Sequence, residues 1–237
     1  MDKRTVDNLL KLVQASYSQI AEDFNDTRKK QIWPELAKLA EGIDDSFRRQ
    51  TVLDVGCGNG RLAGLFKDRK IDYFGVDNCQ ELICLAKDNH GNCFAVGDIL
   101  KLSLIKHYNF DYVFCVAVLH HLPGFDLRLE ALKQLRSKVK DNGTIVITVW
   151  NLWSQKKYRR LILKYWLLKL LKKNQMDLGD IIFNWKNSQG FNITQRYYHA
   201  FTKRELMKLA KKADLVIDKL YKDKYNYYFI LKKPLNS

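Results

Sequence analysis

Three glycines at every second position mark the part of this sequence best suited to chemistry. Gly56, Gly58 and Gly60 closely follow the β-branched or bulky residues 51–53, which are typical of a buried strand. Glycine removes the side chain where a ligand must approach backbone amides at the start of a helix. The pattern therefore predicts a nucleotide-binding loop, although dehydrogenases and phosphate-binding proteins use similar turns.

An acid ahead of the glycines narrows the choice of ligand. Asp54 lies two residues before Gly56, where a carboxylate repels a phosphate but attracts the ammonium group of an amino-acid moiety. The loop therefore indicates S-adenosyl-L-methionine, with S-adenosyl-L-homocysteine as product, rather than a dinucleotide. Cys57 is expected to be a small filler in this loop, since displacement on the cofactor requires no covalent enzyme intermediate.

Two further acids follow the next predicted strands. Asp77 lies 17 residues after Gly60, close to the spacing of a ribose-binding acid, and Asp98 is placed to accept from the adenine amino group. The alternative for each acid is a helix N-cap. Three acids at three successive strand ends favour a cofactor crevice. The predicted cofactor-binding residues are Tyr17, Asp54, Gly56, Cys57, Gly58, Gly60, Asp77, Asn78, Asp98, Ile99 and Val116.

Strands and helices alternate from position 51, which predicts an α/β fold with a doubly wound, mostly parallel sheet. After the loop strand, the predicted strands are 71–77, 92–98, 110–121 and 144–150, and the predicted helices are 61–69, 79–89, 126–139 and 203–212. Two strands around Asp223 and Lys224 are expected to form a closing hairpin. Thr202 with Glu205 indicates a capping box, and Pro34 suits a helix start.

The chain length suits one domain, residues 1–237, with four parts. These are an N-terminal helical lid (1–45), a cofactor-binding core (46–150), a basic substrate-side insertion (151–198), and a final helix with the closing hairpin (199–237). Residues 174–195 have weak periodicity and are expected to form a loop or an insertion.

The composition excludes several classes of protein. Hydrophobic residues make up 46% of the sequence, which excludes a disordered chain, and no apolar run approaches the roughly 20 residues of a membrane span. The first ten residues lack the apolar core of a signal peptide, and the five cysteines form no CxxC pair. We therefore expect a reducing cytoplasm and no metal site.

The net charge of +15 lies almost entirely in the C-terminal part. Residues 151–237 contain 20 Lys and Arg against 6 Asp and Glu, whereas residues 1–150 contain 21 against 20. Such a division favours an anionic partner, foremost a nucleic acid, over an ordinary lysine-rich surface. Between 151 and 173 there are eight basic residues, no acid, and enough apolar residues for a helical stripe. The protein's own core, an anionic membrane or RNA are all possible partners of that stripe.

Residues 51–150 resemble class I methyltransferases, a family with a seven-stranded, Rossmann-like sheet. Further stretches resemble the branch that methylates 5-carboxymethyluridine at the tRNA wobble position, including AlkB-homologue methyltransferase domains. They are YSQIAEDFNDTRKKQIWP at 17–34, AVLHHLPGFDLRLEALKQL at 117–135, TVWNLWSQ at 148–155 and RYYHAFTKREL at 196–206. Leu122 departs from a more usual Phe after the two histidines. The resemblance implies a tRNA anticodon arm as substrate and a small zinc-containing activator protein as partner.

On this interpretation the acceptor carboxylate is ionised at neutral pH, so the site needs cations and donors rather than a strong base. The predicted catalytic residues are His120, Arg28, Arg196 and His199. Arg128, Tyr197 and Tyr198 are the predicted substrate-binding residues, with the tyrosines stacking on a splayed base. Side-chain direction leaves open whether His120 or His121 faces the site, and Arg128 could instead form a salt bridge. The alternatives are methylation of a small anionic or lipid-like molecule at a membrane, and cofactor and RNA binding without turnover.

Overall fold

The apolar runs form nine strands in a computed structural model that describes residues 1–28, 32–106, 109–186 and 190–234, with the Arg28 side chain outside the described part. The strands are β1 Gln50–Val55, β2 Ile71–Asp77, β3 Phe94–Val96, β4 Phe110–Val116, β5 Val139–Trp150, β6 Asp180–Lys186, β7 Asn192–His199, β8 Val216–Lys222 and β9 Asn226–Lys232. The α-helices are α1 Lys3–Gln19, α2 Ala21–Arg28, α3 Pro34–Glu41, α4 Gln80–His90, α5 Phe125–Lys138, α6 Lys156–Leu170 and α7 Lys203–Lys212.

Seven strands form the central sheet in the order β3-β2-β1-β4-β5-β9-β8. Strands β1 to β5 are parallel, and β9 runs antiparallel to both β5 and β8. This arrangement confirms the predicted fold class and the closing hairpin. The strand order reverses direction between β1 and β4, and a crevice for ligands forms at the carboxyl ends of strands at such a switch point.

Both faces of the sheet are covered, as its nearly continuous apolar strands require. The larger core joins one face to α5 and α7 through residues such as Leu132, Leu209 and Ile147. A smaller core joins the other face to α3, where Leu36 packs near Phe114. Burying a leucine contributes about 1.5–3 kcal/mol, so these two layers hold the strand ends in place.

Helix starts follow the capping residues in the sequence. Pro34 occupies the first turn of α3, and the Thr202 side chain accepts from Glu205 N at 3.2 Å at the start of α7. Only half of the predicted capping box forms, because the Glu205 side chain contacts Arg128 and His199 instead.

The prediction of a loop over 174–195 is wrong for Asp180–Lys186 and for residues 192–195, which form strands. β6 and β7 pair antiparallel as a separate two-stranded sheet beside the central one. Ile181 packs in a cluster with Ile162 of α6, whereas Ile182 packs in another with Leu9 of α1. Both faces of β6 therefore meet apolar neighbours at Ile181 and Ile182, which interrupts the polar alternation that reveals most strands and leaves it too short to predict one.

The predicted basic helix is present as α6. Within the described ranges, none of the helices combines the length and the apolar character needed to cross a membrane.

Candidate active site

A cavity of about 340 Å³ opens at the carboxyl ends of β1, β2 and β4. Its lining comes from α1, the glycine loop, the turns after the strands, and β7. Among the predicted site residues, the cavity is lined by Tyr17, Asp54, Gly56, Cys57, Gly58, Asp77, Asn78, Asp98, Ile99, Val116, His120, Arg196 and Tyr198.

The glycine loop needs its glycines for both conformation and space. Gly56 and Gly60 have φ of 75° and 77°, in the left-handed region that favours glycine. A Cβ on Gly56 would lie 2.1 Å from Val118 Cγ2, and one on Gly60 would lie 2.7 Å from the Phe94 ring. Gly60 is absent from the cavity lining, so it shapes the loop through its packing against β3.

Asp54 presents an acceptor without a partner at the end of β1. The side chain is buried, and Oδ2 accepts from the Tyr73 hydroxyl at 2.7 Å. Oδ1 is also buried and has no hydrogen-bond partner among the described residues. Burial raises the pKa of Asp54 to about 7, because a desolvated carboxylate is costly without a cation.

Asp77 and Asp98 combine structural hydrogen bonds with a place on the cavity wall. Asp77 accepts from Gly58 N and Cys79 N, both at 2.9 Å, and burial raises its pKa. Asp98 caps a short 3₁₀ helix by accepting from Leu100 N at 2.9 Å. Carboxylate oxygens carry a second lone pair, so these bonds leave acceptor capacity toward the cavity.

The two histidines after β4 both line the cavity but differ in their hydrogen bonds. His121 Nε2 lies 2.8 Å from the Tyr17 hydroxyl, and its Nδ1 lies 3.2 Å from the Tyr197 carbonyl oxygen. Burial lowers the pKa of His121 to about 3, with the Arg196 charge contributing, so its ring is neutral. Nδ1 therefore donates to the carbonyl, and Nε2 accepts from Tyr17.

His120 keeps a donor for the cavity. Its Nδ1 accepts from Trp150 N at 3.4 Å, which leaves the proton of the neutral ring on Nε2. Burial lowers the pKa of His120 well below its usual range. Among the described groups, Nε2 is buried without a partner, so His120 offers one neutral N–H.

Arg196 is a buried cation beside these histidines. It is 2% exposed, and its guanidinium carbon lies 3.7 Å from the centre of the Trp185 ring and 4.9 Å from that of Tyr17. Nη1 donates to the Tyr198 hydroxyl at 3.2 Å. Within the described ranges, Nε and Nη2 lack partners and no carboxylate pairs with this side chain.

Three predicted site residues lie in a buried network outside the cavity lining. Arg128 donates to Asp180 and Glu205, and His199 lies 2.6 Å from Asp180 Oδ1 and 2.9 Å from Glu205 Oε2. The Tyr197 hydroxyl donates to Asp180 at 2.8 Å. The structure therefore does not bring Arg128, Tyr197 or His199 into contact with the cavity. For Arg128 it favours the salt-bridge alternative.

Tyr198 lines the cavity in a packed setting. The rings of His120, Trp150 and Phe183 have centres 4.7, 4.8 and 5.0 Å from its own, and the side chain is only 1% exposed. Stacking of Tyr197 and Tyr198 on a splayed base is thus opposed by burial of both rings.

Comparison with known proteins identifies the family of this chain. A family profile described as a methyltransferase domain matches residues 24–220. The chain belongs to the methyltransferase domain family. Its cofactor is S-adenosyl-L-methionine, and it is an enzyme of the S-adenosylmethionine-dependent class.

Two relatives of this methyltransferase match over most of their length. A protein of Encephalitozoon cuniculi named as a methyltransferase is 29% identical over 203 residues, covering 84% of this chain and 85% of that protein. The tRNA (carboxymethyluridine(34)-5-O)-methyltransferase of Schizosaccharomyces pombe is 28% identical over 229 residues, covering 93% and 96%.

Solved structures share the fold at low sequence identity. A Methanosarcina mazei S-adenosylmethionine-dependent methyltransferase has a TM-score of 0.68 and 18% identity, covering 87% of this chain and 100% of that one. A methyltransferase from Haloferax volcanii, solved in complex with the Trm112 methyltransferase activator, has a TM-score of 0.63 and 15% identity, covering 95% and 99%.

The residues of this methyltransferase fit its cofactor. The unpartnered Oδ1 of Asp54 suits the ammonium group, and the glycine loop leaves space beside it. Asp77 would hold the ribose, and Asp98, with Ile99 beside it, would hold the adenine end. Tyr17 from α1 covers this pocket and is fixed by His121.

Sequence reasoning missed two residues that support the methyltransferase site from behind its lining. Asp180 and Trp185 lie on the unrecognised strand β6, and their only signal is the short alternation in DIIFNWK. Asp180 anchors the network, and Trp185 covers Arg196. Arg28 ends α2, but its side chain is outside the described residues, so its predicted role stays a prediction.

Proposed function

We propose that this methyltransferase esterifies the carboxylate of a 5-carboxymethyluridine-type base at the wobble position of tRNA. The observation that carries the proposal is the buried Arg196 guanidinium, which lines the cofactor cavity with two nitrogens unpartnered among the described residues. A buried charge without a partner is costly. An anionic acceptor group would relieve that cost in the complex.

A carboxylate suits Arg196 geometrically as well as electrically. Guanidinium nitrogens bind carboxylate oxygens with two parallel hydrogen bonds, and Nε with Nη2 is such a pair. The Trp185 and Tyr17 rings restrict movement of the guanidinium. In this proposal His120 Nε2 donates a further hydrogen bond to the acceptor.

The ionisation of the site supports an acceptor that needs no base. When bound, S-adenosylmethionine supplies a methyl group on a positively charged sulfur. A carboxylate has a pKa of about 4 and is ionised at neutral pH, so its oxygen can form the new O–C bond without losing a proton. The electron pair of the broken C–S bond stays on sulfur, and no proton moves. Neutral His120 and His121 are consistent with positioning and hydrogen bonding rather than proton removal.

The tRNA part of the proposal draws on two further observations. The S. pombe relative is named as a methyltransferase of carboxymethyluridine 34 in tRNA, and residues 151–237 hold 20 basic against 6 acidic residues. Phosphate-rich RNA would complement that charge. The Haloferax complex supports including a small Trm112-type activator as partner.

Methyl transfer tests the proposal directly. The chain is incubated with methyl-labelled cofactor and tRNA carrying 5-carboxymethyluridine, with and without a Trm112-type activator, and nucleosides are analysed by mass spectrometry. The expected product is the methyl ester at the wobble base. Absence of ester under both conditions, despite binding of S-adenosylhomocysteine and tRNA, would support the non-catalytic alternative.

A variant of Arg196 tests whether its guanidinium binds the acceptor carboxylate. Arg196→Gln should reduce kcat/KM for the tRNA about a hundredfold, because loss of a desolvated charge pair costs about 2–5 kcal/mol. Its affinity for S-adenosylhomocysteine should change little. Arg4→Gln, an exposed arginine on α1, is the matched control and should match the wild type. An unchanged kcat/KM in Arg196→Gln contradicts the assignment.

A further inference from the structure

Helix α6 exposes a stripe of large apolar side chains. Leu163, Trp166, Leu167, Leu170 and Leu171 are 52%, 45%, 54%, 59% and 56% exposed. Counted from Leu163, the offsets of three, four, seven and eight residues place them on one face of the helix, with Leu171 as its C-cap. We call these five residues the α6 stripe. Exposed apolar patches of this kind mark interaction surfaces.

The opposite face of α6 packs against the rest of the protein. Ile162 is 1% exposed and packs with Ile181 and Tyr198, and the partly buried Tyr158, Leu161 and Tyr165 of the same helix pack against this cluster. The protein's own core, one of the three partners that the sequence leaves open for this helix, is therefore contacted by the face that carries Ile162. The α6 stripe does not pack against the described core.

Basic residues occupy the N-terminal half of α6, next to the α6 stripe. Lys156, Lys157, Arg159, Arg160 and Lys164 lie on the same helix, and residues 151–173 contain no acid. Within the described ranges, none of these five forms an ion pair with a carboxylate. Their charge is therefore available to an anionic partner.

The chemistry of the stripe distinguishes between anionic partners. Four of its five residues are leucines, which offer neither a hydrogen bond nor a ring for base stacking, the contacts by which proteins bind nucleic acids. A lipid surface combines an apolar boundary with anionic headgroups, and basic helices with Leu and Trp on one face bind there. At 15 residues, α6 is shorter than the roughly 20 of a membrane span.

We propose that α6 binds the surface of an anionic lipid bilayer, with the α6 stripe at the acyl boundary and the cations of its N-terminal half at the headgroups. The helix lies along the surface rather than across it. This binding is separate from methyl transfer, since the stripe lies on the face of α6 turned away from Tyr198 of the site.

Vesicle flotation tests the proposal with the full chain. Binding is compared for phosphatidylcholine vesicles and for vesicles in which about 30% of the lipid is phosphatidylserine. The chain should bind the anionic vesicles at least about tenfold more strongly, because each nearby cation adds to the attraction. Equal binding to both vesicles, or binding to neither, overturns the proposal.

Two variants separate the α6 stripe from general hydrophobicity. Leu167→Glu with Leu170→Glu should weaken binding to anionic vesicles at least about tenfold, because both side chains lose their apolar burial. Leu104→Glu is the matched control, since Leu104 is 77% exposed elsewhere, and it should bind like the wild type. Retained S-adenosylhomocysteine affinity in all variants verifies folding.

Other occupants give different results in the same variants. A second copy of the chain would appear as a dimer in sedimentation that the double variant abolishes, with no vesicle binding. RNA would appear as tRNA affinity lost in the double variant while vesicle binding stays unchanged. Either result overturns the lipid assignment.

Discussion

At the scale of single residues, the cavity is defined by polar atoms that the fold leaves without partners. Asp54 Oδ1 lies on the β1 side, whereas His120 Nε2 and the Arg196 guanidinium lie on the side formed by the β4 turn and β7. The cavity therefore has an unsatisfied acceptor on one side and unsatisfied donors on another. Buried groups of this kind are costly, so they match complementary groups on two different ligands.

Ionisation of Asp54 should control cofactor binding. Its pKa of about 7 in the free protein means that the carboxyl is partly protonated at neutral pH, while the ammonium group of the ligand requires the ionised form. Affinity for S-adenosylhomocysteine should therefore rise as pH increases from about 6 to 8, by roughly tenfold in total. Isothermal titration calorimetry at several pH values measures this rise.

Two variants assign the pH dependence to this carboxyl. Asp54→Asn should bind the ligand more weakly and with no pH dependence in that window. Tyr73→Phe removes a hydrogen bond that lowers the pKa of Asp54, so the rise should move to higher pH. A flat profile in the wild type would refute the assignment.

At the scale of secondary structure elements, the β6–β7 hairpin delivers Arg196 and Tyr198 to the cavity. A network of buried charges fixes this hairpin to α5 and α7. Arg128 comes from α5, Asp180 from β6, His199 from β7 and Glu205 from α7. Although burial disfavours the charged form, hydrogen bonding from His199 holds the pKa of Glu205 below its usual range. The network therefore acts as a positioning device behind the site.

Removing the central charge of this network should loosen the hairpin. Asp180→Asn leaves Arg128 and His199 without their shared carboxylate, which costs about 3–5 kcal/mol and lowers Tm by about 10 °C. Differential scanning calorimetry measures the shift. Asp218→Asn, on the exposed side of β8, is the control and should leave Tm within error.

Activity of the Asp180→Asn variant separates positioning from cofactor binding. Below its Tm, the KM for tRNA should rise while the affinity for S-adenosylhomocysteine stays near that of the wild type, since Asp54 and the glycine loop are on other elements. A parallel loss of both affinities would indicate general damage to the fold.

The elements differ in how far their sequence reveals them. The glycine loop and strands β1, β2 and β4 were predictable because parallel buried strands read as apolar runs ended by polar turns. Strand β6 was not predictable, because α6 covers one of its faces and α1 covers the other. The direction of side chains was also hidden, since Tyr197 and Tyr198 are sequence neighbours with different surroundings. The sequence also predicts that the Glu205 side chain caps α7, but this side chain pairs with Arg128 and His199 in the tertiary structure instead.

At the scale of the whole molecule, charge is divided between two parts. Residues 1–150 hold 21 basic and 20 acidic residues, whereas residues 151–237 hold 20 and 6. The second part also supplies the β6–β7 hairpin, which lines the cavity through Arg196 and Tyr198, and α7, which anchors that hairpin through Glu205. Electrostatic attraction would therefore guide a polyanion toward the acceptor side of the cavity.

Affinity for tRNA should depend steeply on salt. With several phosphates contacted, the dissociation constant should increase about a hundredfold or more between about 50 and 200 mM salt. Filter binding across salt concentrations gives the slope. Lys203→Gln with Arg204→Gln on α7 should reduce its magnitude by about 1–2, one unit for each lost phosphate contact. Lys67→Gln with Lys87→Gln, from the neutral part, should not.

The position of β9 sets the order in which the sheet is completed during synthesis. β9 lies between β5 and β8 and pairs with β5 over seven residues, from Thr144 with Lys232 to Trp150 with Asn226. Until residues 226–232 leave the ribosome, β5 has an unpaired hydrogen-bonding edge with a largely apolar sequence. Such edges are templates for aggregation. A nascent chain stalled before β9 would therefore depend on chaperones, even though every residue of the glycine loop had already been synthesised.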